Sequence, residues 1–386
     1  MTPAETMVQA IEWAAAGPVV VFGSLPPSGL DLDLIVRDEE VARLGAALEA
    51  AGALRRGNAW AVIGTATGYV VEITAASDWS LSPSEVDALF ASAEPLDGCA
   101  KLSRPAAAHT LLLLARIGVS AKRTGRLRAA LAVPGACDEA ERRAEAWGVD
   151  LASLDTVRRP RPALRAPKVV ALSGLDGSGK STQSKALAST LEALGYDVHV
   201  HWAPILQNRS IAALSSLARV LLRLVRRGGG GGIEEGASLV AQVETSSAKQ
   251  RAIRGAWTTV VALANGTAHR RPALEHRGSG TVVIYDRFVL DSIVRIRFLY
   301  GRDERFATPR RLLRLLSPRP VAAFWLDVPG DRAYARKPEH WSADDLNEQR
   351  ALYAEEHERV GVTRLDGERP PDELAVEIAS EVWRRL

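Results

Sequence analysis

The run Gly174-Leu175-Asp176-Gly177-Ser178-Gly179-Lys180-Ser181-Thr182 fits the pattern GxxxxGK[ST] at every fixed position. Glycines in such a run let the backbone turn tightly and aim its N–H groups at phosphate oxygens. Lys180 adds a full positive charge, and Ser181 a hydroxyl of the kind that ligates Mg²⁺. These residues predict a site for the phosphates of ATP together with Mg²⁺. A second candidate is Asp286-Arg287, which ends an apolar run. There the acid is suited to the metal shell beside Ser181, and the cation to an acceptor phosphate or a phosphoryl oxygen. A third set lies far upstream. Asp31 and Asp33 alternate with Leu32 and Leu34, so on a strand both carboxylates share one face. With Glu72 from a neighbouring strand, and with Gly23-Ser24 just before, they form a set able to hold Mg²⁺ and a nucleoside triphosphate.

These side chains need elements to place them. Residues 168–173 are apolar and β-prone, and residues 183–194 have helical character with Gly195 as a stop, which gives the glycine loop a strand before it and a helix after it. Further strands are expected at 197–202, 281–285 and 321–327. Residues 249–264 predict a helix. So does a stretch opened by Arg332, Arg336 and Lys337 that runs through Arg350 and Tyr353, and so do residues 371–386. Residues 211–227 form an apolar stripe at helical spacing, facing either a core or a membrane surface, and Gly228–Gly232 reads as a mobile flap after it. Upstream, a helix is expected over 7–15, strands over 18–22, 31–36, 60–63 and 69–73, and helices over 106–132 and 138–154.

The N-terminal pattern of Gly-Ser, loop, Asp-x-Asp on a strand and a later third acid resembles the minimal nucleotidyltransferase fold of the polymerase-β superfamily. The resemblance covers about residues 8–130 and implies an α+β domain with a helical segment. It also implies that Asp31, Asp33 and Glu72 hold metal ions on a triphosphate. The loop between Ser24 and Asp31 is short here, and the third acid is Glu where Asp is commoner.

Downstream, Leu175 to Gln183, then Asp286-Arg287-Phe288, then Leu326-Asp327-Val328-Pro329 resemble the thymidylate kinase family in order and spacing, over about residues 168–386. The resemblance implies a parallel sheet of about five strands flanked by helices, carrying the γ-phosphoryl of ATP to a nucleoside monophosphate. It implies that Asp176 contacts the acceptor sugar, that Asp286 and Arg287 serve the metal and the acceptor phosphate, and that Arg332, Arg336 or Lys337 supplies an extra cation over the donor. It also leaves room for a homodimer. The acceptor half departs from the family: Ser173 replaces the acid before the first glycine, and His201-Trp202-Ala203-Pro204 replaces Glu-Pro-Gly.

The expected organisation is a nucleotidyltransferase-like domain over 1–155, a Pro/Arg linker over 156–167 and a P-loop kinase domain over 168–386. A formal charge of +3, dispersed along 386 residues, gives no strong nucleic-acid signal. Two cysteines, Cys99 and Cys137, without a CxxC pattern suggest neither a disulfide framework nor a metal knot. With no secretory pattern and no run long enough to span a bilayer, the expected location is the cytoplasm. The leading reading is an ATP- and Mg²⁺-dependent kinase with a small-molecule acceptor, dTMP first. The alternatives are nucleotidyl transfer by the first domain as the main chemistry, and an ATP-gated regulatory module with no small acceptor.

Overall fold

The structure is a computed structural model that describes residues 2–22, 31–120, 123–155, 167–203, 248–278, 280–300, 306–338 and 341–386, with backbone alone for 248–254. Gly23-Ser24, residues 156–166 of the expected linker, residues 211–227 and Gly228–Gly232 lie outside the described residues. The chain divides into two compact units, Met1–Pro162 with Ala193–Gly195, and Ala163–Glu192 with Tyr196–Leu386.

The first unit runs α1 (Pro3–Ala14), β1 (Val19–Val21), β2 (Asp31–Val36), α2 (Asp38–Ala50), β3 (Leu54–Arg56), β4 (Ala59–Gly64), β5 (Thr67–Ala75), α3 (Pro83–Ala91), β6 (Glu94–Pro95), β7 (Leu102–Arg104), α4 (Ala107–Ile117), α5 (Thr124–Leu131) and α6 (Ala136–Ala144). Helix α1 starts four residues earlier than expected. The Thr2 hydroxyl accepts the Glu5 N–H, Glu5 accepts the Thr2 N–H, and Pro3 sits where its missing donor costs nothing. The single helical segment expected over 106–132 is two helices, because Gly118 with φ 86° ends α4. The strands form one mixed sheet in the order β3-β4-β5-β2-β1-β7-β6. One face buries Leu32, Leu34, Val71 and Ile73 with Met7 and Ile11 of α1 and Leu44 and Leu48 of α2. The other buries Val20 and Ile35 with the leucines of α4.

The second unit runs β8 (Lys168–Gly174), α7 (Lys180–Ala193), β9 (Val198–Trp202), α8 (Ala248–Glu275), β10 (Val282–Asp286), α9 (Val289–Tyr300), α10 (Ala307–Leu316), β11 (Ala322–Asp327), α11 (Gly330–Arg336), α12 (Ala343–Glu356), β12 (Thr363–Asp366) and α13 (Pro371–Arg385). Its five strands are all parallel, in the order β12-β11-β8-β10-β9, with helices flanking the sheet. Strands β8, β10 and β11 are buried almost throughout, as parallel strands covered on both faces must be.

Three expectations change here. Helix α8 does not stop near 264. Gly266 continues it because a Cβ there would lie 2.7 Å from Leu316 Cβ, so the glycine is what lets α8 approach α10. The stretch from Arg332 to Tyr353 is two helices. Lys337 precedes a proline, which disfavours helical backbone, and Ser342 with Asp345 forms a capping box that starts α12. Helices α9 and α10 were not anticipated. Among the described residues no helix is long and apolar enough to cross a membrane.

Candidate active site

Strand β8 delivers the glycine run to the C-terminal edge of the parallel sheet, the edge at which such sheets place ligands. Helix α7 begins at Lys180, three residues before the expected start, so Lys180, Ser181 and Thr182 form its first turn, where N–H groups have no partner within the helix. Two glycines are required by geometry. Gly174 has φ 148°, and a Cβ on it would meet the Leu326 carbonyl at 2.8 Å. Gly177 has φ 85°, and a Cβ would run into the carbonyl of Ala333 within α11.

The Lys180 ammonium is buried and donates to the carbonyls of Gly174 at 2.8 Å and Leu175 at 2.5 Å. Burial, then the nearby Arg287 charge, holds its pKa below the ordinary lysine value, while Asp291, Asp176 and Asp286 pull the other way. The Ser181 hydroxyl donates to Asp286 Oδ2 at 2.5 Å, and Asp286 is itself buried at the end of β10. The other carboxylate oxygen of Asp286, Oδ1, is buried without a hydrogen-bond partner.

Arg287 follows with φ 77°, a left-handed conformation that is uncommon for a residue with a side chain and stores strain at this strand end. Its guanidinium is ion-paired with Asp176. Burial pushes the Asp176 carboxyl up, but Arg287, Lys180 and Lys337 outweigh it and the pKa is lowered. Asp176 and Arg287, more than a hundred residues apart in sequence, thus meet across the loop.

A cavity of about 1010 Å³ opens over this arrangement. It is lined by the loop from Asp176 to Gln183, by Asp286 and Arg287, and by Arg336 and Lys337. Arg332 is not among the lining residues; it is 68% exposed and stands 3.6 Å from Glu368.

Asp291, Arg295 and Trp341 were not singled out from the sequence, whereas Asp327 and Trp202 were named in it. Asp291 of α9 is buried. It accepts the N–H of Phe288 at 2.9 Å and of Gly174 at 3.2 Å, and the Tyr353 hydroxyl lies 2.8 Å from its Oδ1 and 3.0 Å from the Gly174 carbonyl oxygen. A lone acid inside the apolar run Val289 to Val294 was the available signal, since a buried carboxylate must find donors. Asp327 is clamped by Arg350 at 2.6 Å and by Arg364 at 2.8 Å. Burial pushes its carboxyl up, but those hydrogen bonds hold it below the usual range. Arg295, Trp202 and Trp341 also line the cavity.

In the first unit, β2 and β5 pair in parallel with Asp33 opposite Glu72, so Asp31, Asp33 and Glu72 share the face expected of them. Burial first, then the charges of Asp31 and Glu72, pushes the Asp33 pKa up to about 6, against the opposing pull of Arg123 and Arg126. Among the described residues no three His, Cys, Asp or Glu side chains converge as a ligand set for a metal ion would.

No protein-family model matches the chain. Two archaeal proteins, each named "Probable thymidylate kinase", are similar to it. The one from Thermococcus gammatolerans is 31% identical over 163 residues, which cover 42% of this chain and 65% of that protein. The one from Thermococcus kodakarensis is 29% identical over 164 residues, covering 42% and 66%. The chain spans just under two thirds of the length of these relatives. It therefore contains a thymidylate kinase-like region, and nothing in these similarities supports the nucleotidyltransferase resemblance of the first unit.

Proposed function

We propose that the second unit is an ATP-dependent kinase of the thymidylate kinase type, moving the γ-phosphoryl group of ATP to a nucleoside monophosphate, with dTMP the first acceptor to try. The observation that carries this reading is the meeting of three parts at one cavity: the loop with Lys180, the Ser181–Asp286 pair and the Asp176–Arg287 pair. The relatives' names agree with it. In the transfer, an acceptor phosphate oxygen bonds to the γ-phosphorus. The bond from that phosphorus to the β–γ bridging oxygen breaks, and its electron pair leaves with ADP. The protein positions and neutralises; it forms no covalent bond.

Loop N–H groups and Lys180 hold the donor phosphates. In this reading the Asp176–Arg287 pair serves the acceptor side, and Arg336 and Lys337, which line the same cavity, offset charge over the donor. The unpartnered buried Oδ1 of Asp286 and the Ser181 hydroxyl suit Mg²⁺, a hard cation commonly held by one or two carboxylates plus substrate phosphates. There Mg²⁺ would supply charge neutralisation for the transferred group.

The test combines the full chain, Mg²⁺ and ATP with a panel of nucleoside monophosphates, nucleosides and sugar phosphates, and measures ADP, AMP, pyrophosphate and phosphorylated acceptor. The expected result is ADP with a phosphorylated acceptor, reduced by about 10³-fold or more in Lys180→Ala. Hydrolysis with no acceptor product would favour an ATP-gated module and overturn the kinase reading.

A second reading, nucleotidyl transfer by the first unit, is favoured by one observation: Asp33 opposite Glu72 in a field shared with Arg123 and Arg126. It predicts pyrophosphate release that survives Lys180→Ala and is lost in Asp31→Asn. Pyrophosphate that stays absent with every acceptor in the panel rules this reading out.

A further inference from the structure

Helix α9 carries two arginines with opposite fates. Arg297 is buried and satisfied, bonded to Glu356 at 2.8 Å and to Glu355 at 2.8 Å. Arg295, two residues earlier and so about 200° round the helix, lines the cavity of the phosphate loop. It is half-buried, and among the described residues it makes no hydrogen bond or ion pair. What holds it is the face of Trp341, 4.4 Å from the guanidinium carbon to the ring centre. Trp341 is fixed in turn by the edge of Phe298, with ring centres 5.1 Å apart.

A guanidinium taken out of water without a carboxylate partner is costly, and a single cation–π contact returns only part of that cost. Burial and the repulsion of Arg287 lower the Arg295 pKa. Asp176 offers little relief because it is already bound to Arg287. The described cavity lining as a whole carries six basic side chains against three acidic ones. Mg²⁺-bound ATP leaves part of that excess unmatched, and a neutral hydroxyl acceptor would match none of the rest. Beside this charge stands Trp202, at the end of β9 opposite Asp286 in register, with an indole 55% exposed and free to stack on a planar ring.

We propose that Arg295, braced by Trp341, is the specificity-determining residue of the acceptor half, and that it reads a phosphate or like anionic group on the acceptor. The inference rests on the kinase reading of the same cavity and names what that reading leaves open. Helix α9 supplies the cation that selects a phosphomonoester over its parent alcohol.

The test is calorimetric titration of the full chain with nucleosides, their 5′-monophosphates, inorganic phosphate and Mg²⁺-ATP, using wild type, Arg295→Gln, Arg295→Lys and Trp341→Leu. In wild type at least one monophosphate binds about 10-fold or more tightly than its nucleoside. Arg295→Gln weakens that monophosphate by about 10- to 100-fold and the nucleoside hardly at all, as loss of a charge-assisted contact requires. Mg²⁺-ATP affinity stays within about twofold of wild type, which also shows that the variant is folded. Arg295→Lys keeps the charge without the planar fork and loses less, so it decides the matter should Arg295→Gln fail to fold. Inorganic phosphate that competes with the monophosphate in wild type and not in Arg295→Gln locates the anion itself.

The proposal is overturned if the monophosphate preference survives Arg295→Gln, if both members of each pair bind alike, or if no anionic member binds. Failure of Mg²⁺-ATP to bind the wild type would instead sink the kinase reading, while the paired titrations still report on Arg295.

Discussion

The phosphate loop of the second unit and the acid strand of the first handle buried charge in opposite ways. Around the loop most of the carboxylates already have partners. Asp176 is held by Arg287, Asp327 by Arg350 and Arg364, and Asp291 by two backbone N–H groups and Tyr353. On the acid strand, like charges stand together: Asp33 faces Glu72, with Asp31 two residues away, and its pKa rises to about 6. A site whose donors are fixed in advance is built to receive anions, because nothing need reorganise when phosphates arrive. Carboxylates gathered on one face instead disfavour one another's charged form.

The sharpest way to break this contrast is to remove a member of the closed network. Asp291→Ala strips the acceptor from Gly174, Phe288 and Tyr353 at once, so we expect a loss of about 3 kcal/mol or more in urea unfolding, and weaker ATP binding with it. Unchanged stability would show that the network is ornamental.

A middle-sized effect separates packing from charge. Gly266→Ala forces a methyl group against Leu316 and should cost about 1 to 3 kcal/mol by the same measurement, with Lys180-dependent ATP affinity unaltered. A parallel loss of ATP affinity would mean that the long helix and the phosphate loop are coupled.

The smallest effect tests the acid strand. Because Asp33 has a folded pKa raised from the ordinary value of 3.8 to about 6, its contribution to stability is present in full below about pH 3.8 and is lost as pH rises through 6. Asp33→Asn removes that dependence. In chelator, we expect the variant to gain about 2 to 4 °C in melting temperature on wild type at pH 8 and to show no gain near pH 4. An equal offset at both pH values would mean that the strand carries no like-charge repulsion.

Much of the site was legible because chemistry fixes spacing there. The glycine run, Lys180, Ser181 and the strand-end Asp286 can be read without a structure, and the two carboxylates of β2 follow from strand alternation alone. What escaped has physical reasons. Helix α9 is buried nearly all round, so it has no polar face to set up a period. Helix α8 continues through Gly266 because a neighbour requires a glycine at that point, which no local propensity encodes. The break between α11 and α12 is written in Lys337-Pro338 and the Ser342 cap. Asp291 and Arg295 gain their meaning from Gly174, Tyr353 and Trp341, partners brought near only by the fold.

The strand order of the second unit also bears on how the chain is made. Strand β8 lies at the centre of its sheet, yet its neighbours are β10 and β11, and Val282, which pairs with Lys168, leaves the ribosome more than a hundred residues later. At translation speeds of about 5 to 20 residues per second, the apolar stretch from Val169 to Leu172 waits on the order of 5 to 20 s for a partner strand. During that interval its open edges can recruit another nascent chain, so slowed synthesis or a lack of chaperones should turn this protein towards aggregation before its sheet is complete.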